Sequence, residues 1–325
     1  MIDYIAVTKH LQGKDKPFLG HCQRILTSDF GYQKLLLSGC RDLEIYWYEQ
    51  LGMFKLQGSI AYYMQGHNFT YSDSMFTEAI NYIESLLKCS LWDSDVNEFE
   101  YGIIFEVEKP PQEYITHHHT KDKKLTMNEK REDKGCFRWW TDKEVTLKMY
   151  DVNKNINKKQ DRQGKAILKQ DGWNPECNYL KWEAHYKKPH QTFNKGRSLI
   201  LANLINQDFQ NLFKQDLMYQ YTRLQPMKNL IAPSDKKCLT TPDIILWDYA
   251  ETLINQHCSL SEIKQRIYAK INAVPIQTLS SNDKKARKRQ ISSLISKLKE
   301  ASESDWDLFP LITKKLGNID SDISP

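Results

Sequence analysis

Three stretches of the chain alternate apolar and polar residues with a period of two. In 98–107, Phe99, Tyr101, Ile103, Phe105 and Val107 share one side, and Glu98, Glu100 and Glu106 share the other. In 145–151, Val145, Leu147 and Met149 oppose Thr146, Lys148 and Tyr150. In 179–187, Leu180, Trp182, Ala184 and Tyr186 oppose Lys181, Glu183, His185 and Lys187. Successive side chains on a strand point to opposite faces, so the pattern predicts three half-buried strands. Shorter β-type runs precede them: Ile2 to Val7, Leu43 to Glu49, and Phe54 to Gln65. A helix is expected over 74–88, where Phe76, Ile80, Ile83 and Leu87 repeat on one side behind capping serines. Pro110-Pro111 ends the strand at 98–107, and the polar, lysine-rich stretch 112–135 reads as a loop. The stretch 152–175 reads either as a mobile loop or as a charged helix.

Beyond Lys188-Pro189 the period changes to that of a helix. Leu201, Leu204, Ile205, Leu212, Phe213 and Leu217 predict an amphipathic helix, broken or continuous, over 197–219. Another opens at Thr241-Pro242, and a third at Ser259, whose spacing to Glu262 is that of a capping box. A fourth covers 282–300. The expected fold is α+β: a mainly antiparallel sheet with helices packed on one face over 1–190, a helical region over 191–316, and a frayed tail over 317–325.

Composition adds limits rather than chemistry. With 325 residues, 40% hydrophobic and 27% charged, the chain is an ordinary globular one. No apolar run approaches the roughly 20 residues of a membrane span, and Met1 to Val7 lacks the basic-then-apolar order of a signal peptide. Seven scattered cysteines without CxxC spacing support neither a zinc site nor a disulfide framework, so the expectation is a reducing cytoplasm. The net charge of +5 is small but unevenly spread. Basic residues outnumber acidic ones about two to one between Lys121 and Lys169, and a second cluster runs from Lys284 to Arg289. Such clusters serve as phosphate-contacting surface or as plain solvated faces.

If the three alternating strands share a sheet, its open face carries carboxylates, a histidine, lysines and one tyrosine. That set suits metal-assisted phosphodiester chemistry. The order of the motifs is informative too: Met1-Ile-Asp, then Met64-Gln-Gly-His-Asn68, then Thr146 to Lys154 around Tyr150, then Leu180 to Lys188 around Glu183. Over roughly residues 1–220 this order resembles the phage and plasmid replication initiators related to the gene II protein of filamentous phages. More distantly, it is similar to plasmid rolling-circle initiators with a tyrosine-lysine strand followed by an Arg-x-Glu strand. The resemblance implies an endonuclease that nicks one origin strand through a tyrosine, forms a 5′-phosphotyrosine bond and frees a 3′-OH primer. Tyr150 falls on the nucleophile and Glu183 on the metal-binding carboxylate.

A phenol of pKa near 10 needs activation. Lys148 and Lys181 are therefore expected to assist at the phenolate or phosphate, with Mg²⁺ or Mn²⁺ polarising the non-bridging oxygens. Relatives carry an aspartate where this chain has Gly102, so Glu100 or Glu106, on the same strand face, is expected to supply the second carboxylate, with His67 a further candidate ligand. Lys154, Lys158, Lys159, Arg162, Lys187 and Lys188 are the expected DNA contacts. The expected partners are origin DNA, single-stranded or cruciform at the nick site, and a host helicase, with the C-terminal helices contacting duplex DNA or that helicase. His117-His118-His119 is read as an exposed polar loop rather than a metal motif, and Phe137, Trp139 and Trp140 either stack bases or edge a core. Two rival readings are a non-catalytic DNA-binding protein on the same scaffold, which Gly102 favours, and a protein-binding module.

Overall fold

Ten strands pair, each antiparallel to its neighbour, in one sheet. In chain order they are β1 (Ile2–His10), β2 (Cys22–Thr27), β3 (Gln33–Leu37), β4 (Leu43–Tyr48), β5 (Met53–Ser59), β6 (Asp95–Val107), β8 (Thr126–Glu129), β9 (Phe137–Thr141), β10 (Val145–Asp151) and β11 (Asn178–Tyr186). The spatial order is β2-β3-β4-β5-β1-β6-β11-β10-β9-β8, which places β1, β6, β11 and β10 side by side at the centre. The computed structural model describes residues 1–11, 17–28, 31–129, 135–226, 229–230, 241–255, 260–300, 302–303 and 306–317. The fold is α+β, as the patterning implies.

The chain forms two compact units. The first comprises Met1–Ile115, Asp122–Arg223 and the segment opening at Phe309, so it runs well past residue 190. Its helices are α1 (Ile60–Gln65), α2 (Asp73–Leu87), α4 (Val152–Lys159), α5 (Arg162–Gln170), α6 (Pro189–Phe193), α7 (Gln207–Thr222) and α11 (Phe309–Leu316), together with most of α3 (Pro111–Thr116). On the apolar face of the sheet, Phe99 and Tyr101 lie 4.9 Å and 5.7 Å, ring centre to ring centre, from Phe213 of α7. Trp182 donates its indole N–H to the Leu217 carbonyl at 3.3 Å. Each such side chain contributes roughly 1.5–3 kcal/mol on burial, enough to fix the register of the central strands and hence the positions of the polar residues behind them. On the polar face, α4 and α5 close over one end of the sheet, where Ile104 packs with Val152, Ile156, Leu168 and Trp173.

Local chemistry explains where the elements differ from expectation. The run Phe54 to Gln65 is not all strand: Ser59 ends β5 and caps α1, its Oγ accepting from the Tyr62 N–H. The stretch 152–175 holds two helices, because Asp151 and Asp161 each cap the following turn through Lys154 N–H and Gly164 N–H. The helix expected over 197–219 is broken at Asn206, which caps α7 after a 3₁₀ turn at Leu201–Ile205. Within 112–135 lie α3, the strand β7 (His118–Thr120) and β8, while 130–134 fall outside the described residues.

The second unit comprises Thr116–Lys121 and Leu224–Leu308. In it β7 pairs with β12 (Leu224–Pro226), and α8 (Thr241–Asn255), α9 (Leu260–Ala273) and α10 (Ser281–Glu300) follow. The Tyr268 hydroxyl ties α9 to α10 through the Lys288 carbonyl at 3.0 Å and Ser292 Oγ at 2.9 Å. Ser259 and the tail 318–325 lie outside the described residues. No helix among the described residues is long and apolar enough to cross a membrane.

Candidate active site

Strand register brings the polar residues of five strands together. Tyr150 pairs with Lys181 and Lys148 with Glu183 across β10 and β11. Glu183 pairs with Gly102 and His185 with Glu100 across β11 and β6. On the far side of β6, Ile2 pairs with Tyr101 and Ile5 with Phe99, so two residues of β1, Asp3 and Tyr4, stand opposite the single residue Glu100. That bulge turns Asp3 onto the face that carries Glu100 and Glu183, the re-aiming for which an extra strand residue is suited. Carboxylate oxygens of Asp3, Glu100 and Glu183 lie within 4.8 Å of one another.

Lysines and short polar side chains hold the cluster. The Lys181 ammonium, only 1% exposed, donates to Asp3 Oδ2 and lies beside Glu183 Oε2, at 2.7 Å in each case. Lys148 pairs with Glu100 and lies 3.3 Å from Glu183 Oε1. Ser59 and Asn68 both donate to Asp3. His185 places Nδ1 2.8 Å from Glu100 and Nε2 2.9 Å from Glu98, and stacks on Tyr4. Burial alone would raise the Asp3 and Glu100 carboxyls. For Asp3, Lys181 outweighs burial and holds it below the usual range. For Glu100, His185 and Lys148 bring it down to about 2.

Tyr150 is buried at the floor of this cluster, its hydroxyl 3.5 Å from Glu183 Oε2 and the Lys181 ammonium 5.6 Å from its ring centre. Burial and the Glu183 charge push the phenol well above its ordinary pKa, with Lys181 opposing them. It is therefore a neutral phenol, and the carboxylate oxygen 3.5 Å from its hydroxyl is the candidate proton acceptor once the two draw closer.

A cleft of about 270 Å³ opens over the tyrosine. Its floor is acidic and its rim is basic, with Arg41, Lys154, Lys158 and Lys159 in the lining. Arg41 and Lys159 both lie over the Tyr62 ring, at 4.8 Å and 5.1 Å from its centre. Burial and the neighbouring Arg41 lower the Lys159 pKa, so two like charges are held close and an anion between them would relieve both. Phe137, 5.7 Å from Tyr150, supplies an aromatic wall.

Not every expected residue reaches the cleft. Glu106 is exposed at the far end of β6, four residues from Gly102, and the helix-covered Ile104 lies between them, so Glu100 is the glutamate of this strand that joins the cluster. His67 is turned to Asp171 at 3.0 Å, and its neighbour Asn68 reaches the site instead. Lys187 donates to Thr141 and to the Asp142 carbonyl, which commits it to the β9–β10 turn. Arg162 and Lys188 are exposed outside the cleft lining. The His117–His119 run belongs to the second unit, where β7 pairs with β12 and His117 stacks on Trp306 at 4.4 Å. Trp140 is fully buried in the core.

Asp3 is the member that patterning missed. A carboxylate inside the apolar run Ile2 to Val7 was the available signal, but the bulge that orients it has no sequence mark. Gly102 has a positive role: a Cβ there would stand 2.4 Å from Glu183 Cβ and 2.9 Å from the Trp182 carbonyl, so its absence is what lets the Glu183 side chain lie over β6.

Three hard oxygen donors in this arrangement fit a divalent cation of the Mg²⁺ or Mn²⁺ kind. Among the described residues no other cluster of histidine, cysteine and carboxylate side chains has comparable spacing. No protein-family model and no curated protein matches the chain. A solved structure, that of a rolling circle replication initiator protein from Geobacillus stearothermophilus, aligns with 73% of this chain and 88% of its own, at 11% identity and a TM-score of 0.36.

Proposed function

We propose that this protein is a rolling-circle replication initiator that nicks and rejoins one DNA strand through Tyr150. The observation that carries the reading is the placement of the Tyr150 hydroxyl beside Glu183, at the floor of a cleft with a carboxylate cluster beneath and a basic rim above. Arg41, Lys158 and Lys159 draw the scissile phosphate into the cleft. Glu183 accepts the phenolic proton as the oxygen attacks phosphorus. The new phosphotyrosine bond replaces the P–O3′ bond, and the departing 3′ oxygen takes up a proton to become the primer hydroxyl. Lys181 stabilises the phenolate, and attack by a 3′-OH on the phosphotyrosine reverses the step. A divalent cation held by Asp3, Glu100 and Glu183 would polarise the non-bridging oxygens.

The second unit supplies a duplex-binding surface in this reading. From Leu260 to Glu300 the sequence has ten Lys and Arg against three Asp and Glu, more net positive charge than the whole chain carries. Origin duplex is the proposed partner there, with a replicative helicase of a bacterial host as a further one.

The test uses a pool of random single-stranded oligonucleotides with Mn²⁺. Denaturation should leave a covalent adduct that peptide mapping assigns to Tyr150. One observation favours a second reading: Lys181 already sits between Asp3 and Glu183 where a cation would compete with it. If DNA binds in a salt-sensitive way but no adduct forms in Mn²⁺, the chain is a non-catalytic DNA-binding protein on this scaffold.

A further inference from the structure

Beside the cleft, α4 separates two concavities. Lys154, Lys158 and Lys159 line the cleft over Tyr150, whereas Asn157 of the same helix lines a second groove of about 620 Å³. Arg162, Lys165 and Lys169 of α5 line this groove together with the capping Asp161, and Trp173 and Pro175 form part of its wall. The three cations recur every three or four residues, so they form one ridge along the helix. None of them has a carboxylate within ion-pair distance among the described residues: Asp161 caps α5 and Asp171 pairs with His67. The apolar side of α5 is committed to the core through Leu168, so the cationic ridge is held at a fixed position relative to the cleft.

We propose that this groove is a single-strand DNA subsite that holds one flank of the strand whose scissile phosphate lies over Tyr150. The inference rests on the nicking reading above for what occupies the cleft. An α-helix is about 10–12 Å across, and stacked nucleotides advance about 3.4 Å each, so a strand crossing α4 reaches the groove about three nucleotides from the nick. The exposed Asn157 and Pro175 are placed to contact unpaired bases, over a floor set by the buried Trp173, while Arg162, Lys165 and Lys169 take the phosphates.

The experiment compares wild type with the triple variant Arg162→Glu, Lys165→Glu, Lys169→Glu in the full chain. All three side chains project from the surface of α5, and circular dichroism checks that the variant folds. Binding of a fluorescein-labelled single-stranded 30-mer is first measured in EDTA against salt concentration. The variant should bind at least about tenfold more weakly, with the log–log salt slope reduced by about 2, since each neutralised phosphate contributes about 0.7 for single strands. Adduct formation in Mn²⁺ is then compared on a long oligonucleotide and on one trimmed to about two nucleotides either side of the nick. The variant should lose rate on the long substrate and keep the wild-type rate on the short one.

Equal binding and an unchanged salt slope in the variant would overturn the subsite, as would an equal loss of rate on both substrates. If wild type forms no adduct on either oligonucleotide, the nicking reading fails, and the binding comparison alone decides the groove. A variant defect confined to duplex DNA, with single-strand binding intact, would also overturn the proposal.

Discussion

Replacing Lys181 with methionine keeps the length and most of the volume of the side chain while removing its charge. In the wild type the ammonium is 1% exposed and contacts Asp3 and Glu183 at 2.7 Å each. At an effective dielectric of about 20, each contact represents about 6 kcal/mol of gross attraction. Desolvation of the ions offsets much of this, and deleting one partner of a buried pair has a net cost of about 3–5 kcal/mol. For a unit of this size each kcal/mol lowers Tm by about 2–4 °C, so the variant should melt about 6–20 °C lower in EDTA at pH 7. The pH dependence has a definite sign. Asp3 is held below its usual range by Lys181, so its contribution is present above its unfolded value of 3.8 and fades as pH falls through the folded one. The difference between wild type and variant should therefore be largest above about pH 4 and shrink below it. Millimolar Mn²⁺ should raise the Tm of the variant more than that of wild type, because the cation replaces the missing charge in the folded state only. Scanning calorimetry across pH, with and without Mn²⁺, reads all three effects. A variant that melts within about 2 °C of wild type in EDTA at pH 7 would refute the view that Lys181 balances the carboxylates.

Tyr150→Phe should abolish the covalent adduct on denaturing gels while changing stability by no more than about 1 kcal/mol, because it removes a single hydroxyl hydrogen bond at 3.5 Å. Gly102→Ala should destabilise by about 1–3 kcal/mol in urea titration, since its Cβ meets both Glu183 and the rigid Trp182 carbonyl; a neutral result would mean that β6 and β11 have slack at that pair. Glu100 titrates at about 2 when folded, so wild type should lose stability as pH falls from about 4.5 to 2. In Lys148→Met that acid-induced loss should be smaller, as thermal melts against pH would register.

The half of the fold that patterning captures is the half in which one face packs on an apolar core. In the structure the polar face of the central strands is largely covered too, with Lys181, Glu183 and Tyr150 buried. β6, β10 and β11 alternate cleanly because Phe99, Leu147 and Trp182 must face the core, and a slip of one residue would invert every side chain. Tyr150, Lys148, Lys181, Glu183 and Glu100 were therefore legible as a group once the three strands were taken as neighbours. What escaped is set by local hydrogen bonding rather than by hydrophobic period. Ser59 converts the end of an apparent strand into a helix start, and Asp151 and Asp161 turn a polar connection into two capped helices. His67 looked the more chemical residue of its motif, yet the left-handed turn at Gly66 leads into a segment where Asn68 takes the place beside Asp3.

Gly102 shows why the missing carboxylate does not by itself signal a decayed site. With no side chain at 102, Glu183 extends over β6, and the two remaining positions around it are filled from Glu100 on the same strand and from Asp3 across the bulge in β1. A carboxylate at 102 would have to displace Glu183 or the Trp182 backbone, so the third carboxylate comes from Asp3 across the bulge in β1 instead. The carboxylates beside Tyr150 are tolerated because Lys148 and Lys181 pair with them at the cluster itself, a buried charge being costly unless it is paired.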